Sequence, residues 1–352
     1  MTTPGYSVEE VGPSEVASIA ALWCANFDGY DDAGARAKLR AAYADNPVAD
    51  STLLALRATT VAGAQGTIGL CARAFRFGER AITMATACDF VVDARHRSLG
   101  PAMQLLRAGA RIAAERFDLC YALPNANAAP VFRAAGFREL GSFERYAKPL
   151  RTQRLLAKRL PAVLAALAAP FVDFALAVRD RVHGFGTDRL ECHDTAWTAS
   201  EIDALFAQRP GSLLLSVRSA RMLRWRFEGT QRGAGDDVWQ LAICRDRGGV
   251  IRGYAVWRIV GGKFEIGDLF AADPQRWTWP LVAALTQRAR AEKAASSLSF
   301  SCLAPAALAS QLRAAGLTLR PDRRPVYIAR SAEADAMPAE AWYLTEFDED
   351  TS

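Results

Sequence analysis

Two hydrophobic patterns alternate along the chain. "AITMATACDFVV", Ala81 to Val92, is a short apolar run rich in Val, Thr, Ile and Phe, and it predicts a buried strand. Just beyond it, Gln104, Arg107, Arg111 and Glu115 recur three or four residues apart with Leu105, Leu106, Ile112 and Phe117 between them, which predicts a helix with one polar stripe. The junction carries Gly100 and Pro101. Proline suits a first helical turn, where a missing N–H costs nothing, and glycine lets backbone approach a ligand closely. The free N–H groups and the dipole of such a helix start favour an anion, phosphate above all. An ordinary strand-to-helix turn that binds nothing is the alternative reading of these residues alone.

The same pattern occurs twice. "DFVVDARHRSLGPAMQLLRAGA" from Asp89 matches "DLFAADPQRWTWPLVAALTQRA" from Asp268, with Arg97 against Arg276 and Pro101 against Pro280. Further on, Phe137 matches Leu317 and Tyr146 matches Tyr327, so the register drifts by only two residues. Each half reads strand, long helix, short strand, second helix and final strand. The expected class is therefore α/β (α+β), two mixed-sheet domains with helices on both faces, related by an internal repeat. The expected boundaries are 1–150, a bridging segment 151–190, and 191–352. The halves differ where chemistry is expected: Trp279 stands at the position of Gly100 and Leu281 at that of Ala102, so the first copy is the working half.

Composition narrows the partners. The 352 residues are 51% hydrophobic and 23% charged, with a net charge of +5. Arginine supplies most of the positive charge without interleaved aromatics, so nucleic acid is not indicated. Seven scattered cysteines with no C-x-x-C pair read as reduced core residues of a cytoplasmic protein. The first residues lack a basic and apolar targeting segment, so export is not expected. Three dispersed histidines argue against a metal site, and no metal is expected.

The motifs resemble those of the GNAT acyl-CoA N-acyltransferases. A strand ending at Val92 is followed by Arg97-Ser98-Leu99-Gly100-Pro101-Ala102, which fits that family's Arg/Gln-x-x-Gly-x-Gly/Ala hallmark. "NANAAPVFRAAGF" supplies a second hallmark through Asn125, Ala128, Gly136 and Phe137, about 25 residues later. The resemblance covers residues 5–150 and reaches the second copy only through the repeat. It implies a GNAT-like fold and acetyl-CoA, or another acyl-CoA, as co-substrate. Backbone from Ser98 through Leu99 and Gly100 to Ala102 would bind the pyrophosphate, with Arg97 at the loop's entrance. Phe90 and Val92 would meet the pantetheine where the strand splays, and Asn125 would touch it from the opposite side. Pro101 subtracts one donor from this cradle.

Catalysis is where the pattern departs. The tyrosine that many members place four residues before the Gly of Gly-Phe, to protonate the leaving thiolate, is Phe132 here. Phe132 is expected to pack on the pantetheine or the acyl methyl instead. Acyl transfer needs a proton acceptor for the amine, and Asp89 is the nearest carboxylate. The competing reading is a strand-end residue that is simply ion-paired or solvated. Tyr121 and Tyr146 could supply a hydroxyl, but both read first as core or rim aromatics.

Two segments stay open. From Leu160 to Val178 the bridge is nearly all apolar with only Asp173 charged, and Arg and Lys flank it. A span needs about 20 such residues, yet Pro161, Pro170 and Asp173 favour a helix packed between the halves. A membrane surface contact through 160–178 is the alternative. At the other end, Trp342, Tyr343, Leu344 and Phe347 read as a docked anchor before a solvated acidic end, or else Asp348, Glu349 and Asp350 line the acceptor cleft. The expected function is transfer of an acetyl or short acyl group to the amine of a small-molecule or sugar-type acceptor. A non-catalytic coenzyme-A-binding or scaffold protein is the alternative.

Overall fold

The computed structural model describes residues 5–184, 190–193, 197–228 and 238–349. Its first half is built on strands long enough to cross a core. They are β1 (Tyr6–Glu10), β2 (Thr52–Ala58), β3 (Gly66–Phe77) and β4 (Arg80–Val92), and the helices α1 (Val16–Asn26) and α2 (Asp32–Leu39) lie between the first two strands. The sharp β3–β4 turn uses Gly78 at φ +57°, a left-handed conformation that glycine adopts without strain. Next come α3 (Leu99–Arg116), β5 (Leu119–Ala122), α4 (Ala129–Ala134) and β6 (Phe137–Pro149). The bridge forms α5 (Gln153–Leu156) and α6 (Ala162–Gly184). The second half runs β7 (Glu191–His193), α7 (Ala199–Ala207), β8 (Leu214–Ser216), α8 (Ala220–Phe227), β9 (Gln240–Arg245), β10 (Ile251–Val260), β11 (Lys263–Ala271) and α9 (Pro274–Ala291). It closes with β12 (Ser297–Leu303), α10 (Ala306–Ala314), β13 (Thr318–Ala329), α11 (Ala332–Ala336) and β14 (Leu344–Thr345).

The two mixed-sheet copies share one sheet, ordered β1-β2-β3-β4-β5-β13-β6-β12-β11-β10-β9-β7. At the centre the final strands of the copies change places. β13, from the second copy, pairs with β5 of the first, and β6, from the first, pairs with β12 of the second. β13 and β6 also pair with each other, antiparallel. The repeat thus appears as a pseudo-twofold arrangement in which each copy completes the other's sheet. Polar and hydrophobic burial follows this plan: Leu54, Ile68, Leu105, Leu106 and Phe132 form the core under α3, and a larger core joins α7–α10 to β9–β12.

Two expectations need correction. The bridging helix is not buried between the halves. α6 turns its small and acidic face inward, where Asp173 accepts from the Thr152 backbone N–H and hydroxyl at 2.8 and 2.7 Å and Asp180 meets Lys148 and Arg290 at 3.3 and 2.5 Å. Buried hydrogen-bonding partners for the carboxylates decide the orientation, and the large apolar side chains are left outside. Nor are all seven cysteines reduced: Cys192 and Cys244, directly opposite each other on β7 and β9, form a disulfide. The isolated spacing of cysteines does not reveal which ones a sheet register brings face to face.

Candidate functional site

The first copy opens where two parallel strands part. β4 and β5 pair from Met84–Leu119 to Ala87–Ala122 and no further, while β4 continues along β3 as far as Val92. A bulge accompanies the parting. The β3–β4 register slips between Thr67 and Gly69, and Asp89 takes φ +49°. The bulge is held from below: the Trp23 indole N–H donates to the Thr67 hydroxyl at 3.0 Å, which donates to the Asp89 carbonyl at 2.8 Å. Phe90 and Val92 lie beyond the last β4–β5 pair, Phe90 half-buried and Val92 buried. Asn125 stands past the opposite strand's end, exposed. Its side-chain oxygen accepts from the backbone N–H groups of Asn127 and Ala128 at 3.1 and 2.9 Å.

At the mouth of the gap α3 begins. Ser98 is its N-cap but makes no side-chain cap bond, so the first-turn donors are not taken up by the protein's own oxygen. Ala102 N–H reaches back to the Ser98 carbonyl at 3.4 Å and Pro101 has no N–H, which leaves Leu99 and Gly100 as the forward donors. Arg97, Ser98, Leu99 and Gly100 are all exposed, and a Cβ added at Gly100 would meet nothing within 4 Å. Arg97 is anchored, donating to the Val92 carbonyl and to Asn26 Oδ1, both at 3.2 Å. Asp93 fixes the preceding turn by a bidentate pair with Arg95, which together with the Arg95 backbone N–H lowers its pKa to about 2.

The second copy has the same frame with the gap filled. β11 and β12 pair only from Lys263–Ser297 to Ile266–Phe300, after which β14 lies against β12 through Cys302–Thr345 and Leu303–Leu344. Trp342, Tyr343, Leu344 and Phe347 are buried there, and Tyr343 donates to the Leu269 carbonyl at 2.5 Å. α9 also starts earlier, with Asp273 accepting from the N–H groups of Gln275 and Arg276 at 3.1 and 3.2 Å. Its helix start is thus self-capped, and the half-buried Trp279 packs on the core.

Around Asp89 the structure assembles residues that the motifs do not mark. Its buried carboxylate pairs with Lys38 Nζ at 2.5 Å and accepts from the Tyr43 hydroxyl at 2.5 Å. Tyr43 sits in the π-helical turn Arg40–Ala44 that extends α2, and its ring crosses Gly69 so closely that a Cβ there would lie 1.8 Å from its oxygen. Lys38 was detectable as a cation on the buried stripe Ala35–Lys38–Leu39. Tyr43 gave no periodic signal. Asp268, the repeat partner of Asp89, has the same kind of surroundings: Arg218 at 3.1 Å and the Tyr254 hydroxyl at 2.6 Å.

Other sequence candidates fall elsewhere. Phe132 is fully buried behind Phe90, the rings meeting edge to face at 5.7 Å, so the surface that faces the gap is that of Phe90. Tyr121 donates to the Asp348 carbonyl at 2.6 Å and Tyr146 to Glu144 at 2.7 Å, and burial pushes both phenols up. The acidic end is not solvated: Asp348 is buried against Arg218 and Ser216, and Glu349 pairs with Arg324. Asp350 lies outside the described residues. A groove of about 270 Å³ between Ala113, Cys120, Phe137 and Arg330 belongs to the far end of α3, roughly 20 Å along the helix from the gap. Among the described residues, no group of three or more His, Cys, Asp or Glu could hold a metal ion.

No family model matches the chain, and no curated protein matches it. Solved structures do. A conserved protein of unknown function from Enterococcus faecalis V583, described as a probable N-acyltransferase, is 14% identical, with a TM-score of 0.64 over 94% of this chain and 73% of that one. A GCN5-related N-acetyltransferase from Anabaena variabilis is 12% identical, with a TM-score of 0.62 over 92% and 72%. One from Kribbella flavida is 14% identical, with a TM-score of 0.59 over 93% and 71%. The parted strands, the bulge and the uncapped helix start are thus set in a known frame: the chain has the fold of the GCN5-related N-acetyltransferases.

Proposed function

We propose that the protein is an N-acyltransferase that moves an acetyl or short acyl group from acyl-CoA to the amine of a small-molecule or sugar-type acceptor. The observation that supports it best is the open gap beyond Ala87 and Ala122, with an uncapped helix start at its mouth, in the first copy alone. In this reading Leu99 and Gly100 N–H groups, with Ser98 and Ala102 beside them, receive the pyrophosphate, and Arg97 shapes the loop. The open edge of β4 at Phe90 and Val92 and the Asn125 amide receive the pantetheine, with Phe132 backing Phe90. The acceptor nitrogen attacks the thioester carbonyl, a C–N bond forms, the C–S bond breaks, and the thiolate leaves. The amine's proton passes to Asp89 by way of the Tyr43 hydroxyl. Residues 1–150 would be the acyl-CoA-binding unit, 151–190 the bridge, and 191–352 the degenerate copy.

A second reading has its own observation. Asp89 and Asp268 have matching surroundings, and Phe132 replaces the usual phenol, so the first copy could bind coenzyme A without chemistry. Release of free thiol from acetyl-CoA with a panel of amines separates the two. Under the leading proposal, Asp89→Asn lowers turnover about a hundredfold at neutral pH. The loss shrinks as pH rises, because more of the amine is already neutral. Circular dichroism and acetyl-CoA titration must accompany the assay, since the substitution also strips Lys38 of its carboxylate. Full activity of a folded Asp89→Asn protein across about pH 6 to 9 would remove Asp89 from the mechanism. Intact acetyl-CoA binding with no thiol release from any amine would favour the second reading.

A further inference from the structure

α6 is amphipathic in the inverted sense. Its inner stripe is Ala165, Ala169, Asp173 and Asp180, the two acids bonded to Thr152 and to Lys148 and Arg290, and its outer stripe carries Leu164, Leu167, Phe171, Phe174, Val178 and Val182. Phe171 is 78% exposed and Phe174 72%, and they stand in a run of exposed apolar side chains rather than singly. Leu155 and Leu160 in the preceding segment are exposed as well. Cations stand at both ends: Arg154, Lys158 and Arg159 before α6, and Arg179 and Arg181 in its last turns. Among the described residues, Arg154, Lys158, Arg159 and Arg181 have no carboxylate partner, and both acids of the helix point inward.

We infer that α6 is an interfacial anchor that lays the protein on an anionic phospholipid bilayer, its outer stripe in the headgroup–acyl boundary and the flanking cations on lipid phosphates. The charge pattern selects this partner. A second copy of the chain packed on the same face would bring cations against cations in either relative direction, with no exposed carboxylate on the stripe to answer them. A spanning helix is excluded by the inner stripe. The 21-residue segment Ala162–Val182 is long and apolar enough to cross, but crossing would pull Asp180 from its buried partners Lys148 and Arg290. Lying in the interface keeps every one of those bonds and covers the stripe. The inference stands apart from acyl transfer.

Sedimentation of the full-length protein with phosphatidylcholine vesicles, with and without about one third phosphatidylglycerol, tests it. The protein should pellet with the anionic vesicles, and binding should weaken at least tenfold in Phe171→Ser/Phe174→Ser. Arg154→Gln/Lys158→Gln/Arg159→Gln should lose most of the anionic preference, as should the wild type at about 0.5 M salt. Melting temperatures of the variants report that the fold is kept, because the substituted side chains touch solvent. Wild-type protein that stays in the supernatant with anionic vesicles overturns the inference. So does unchanged binding in Phe171→Ser/Phe174→Ser, or a wild-type dimer that ignores vesicles and falls to monomer in that variant.

Discussion

Replacing Arg218 by methionine is expected to remove about 3–5 kcal/mol of stability. The guanidinium is fully buried and serves two carboxylates at once. Its Nε donates to both oxygens of Asp268 at 3.2 and 3.1 Å, and one terminal nitrogen donates to Asp348 at 3.1 Å. The other donates to the Ser216 carbonyl and hydroxyl at 3.1 and 3.0 Å. Methionine would fill the volume and leave two acids in the same low-dielectric pocket. Burial, the larger cause, already holds the Asp348 carboxyl above its ordinary range, and Asp268 pushes the same way. A raised folded pKa contributes stability that is full below the unfolded value and lost as pH climbs through the folded one. Without Arg218 that rise grows, so the deficit should be smaller near pH 5 than near pH 8. Urea unfolding at the two pH values measures it. Adding Asp348→Asn to the variant should recover part of the loss. A variant within about 1 kcal/mol of wild type at both pH values would show that the cluster does not hold the second copy's gap shut.

Phe132→Ala should cost a further 3–5 kcal/mol in its own half, about the upper range for an aromatic removed from a packed core. The ring meets Phe90 at 5.7 Å and Phe137 at 5.0 Å, both edge to face, within the apolar core under α3. The effect should extend to the site. Phe90 would lose its backing, and the wall it gives to the gap would relax into the cavity. Acyl-CoA affinity should therefore fall together with the melting temperature. Phe132→Leu, which keeps most of the volume, should restore much of both. A Phe132→Ala protein with wild-type stability would mean that the ring is not the support the packing makes it.

The repeat, the strand–turn–helix at Gly100 and the mixed character of the sheet were legible because they rest on local patterns: apolar periodicity, a glycine and proline at a junction, and a repeat register that drifts by only two residues between the Asp89–Asp268 and Tyr146–Tyr327 pairs. The exchange of β6 and β13 was not, because antiparallel pairing within a copy and across copies demands the same alternation. The filling of the second gap by Leu344 and Thr345 was half legible. The aromatic run marked an anchor, but nothing local gave its destination. Lys38 and Tyr43 reach Asp89 from 51 and 46 residues away, Tyr43 through a helix bulge that propensity does not foretell. The orientation of α6 departs from its hydropathy for a physical reason. Hydropathy ranked its leucines and phenylalanines as the buried side, whereas Asp173 and Asp180, with specific buried partners, set the inward face.

Calorimetric titration of the full-length protein with acetyl-CoA weighs most directly on the assignment of a single working copy. Gly100 has open space where a side chain would stand, so Gly100→Trp should leave the fold and melting temperature intact while denying the phosphate its approach. Wild type should bind one molecule per chain, and Gly100→Trp should bind at least tenfold more weakly, a loss of about 1.4 kcal/mol or more. Two molecules per chain, or an unchanged dissociation constant in a folded Gly100→Trp protein, would contradict it.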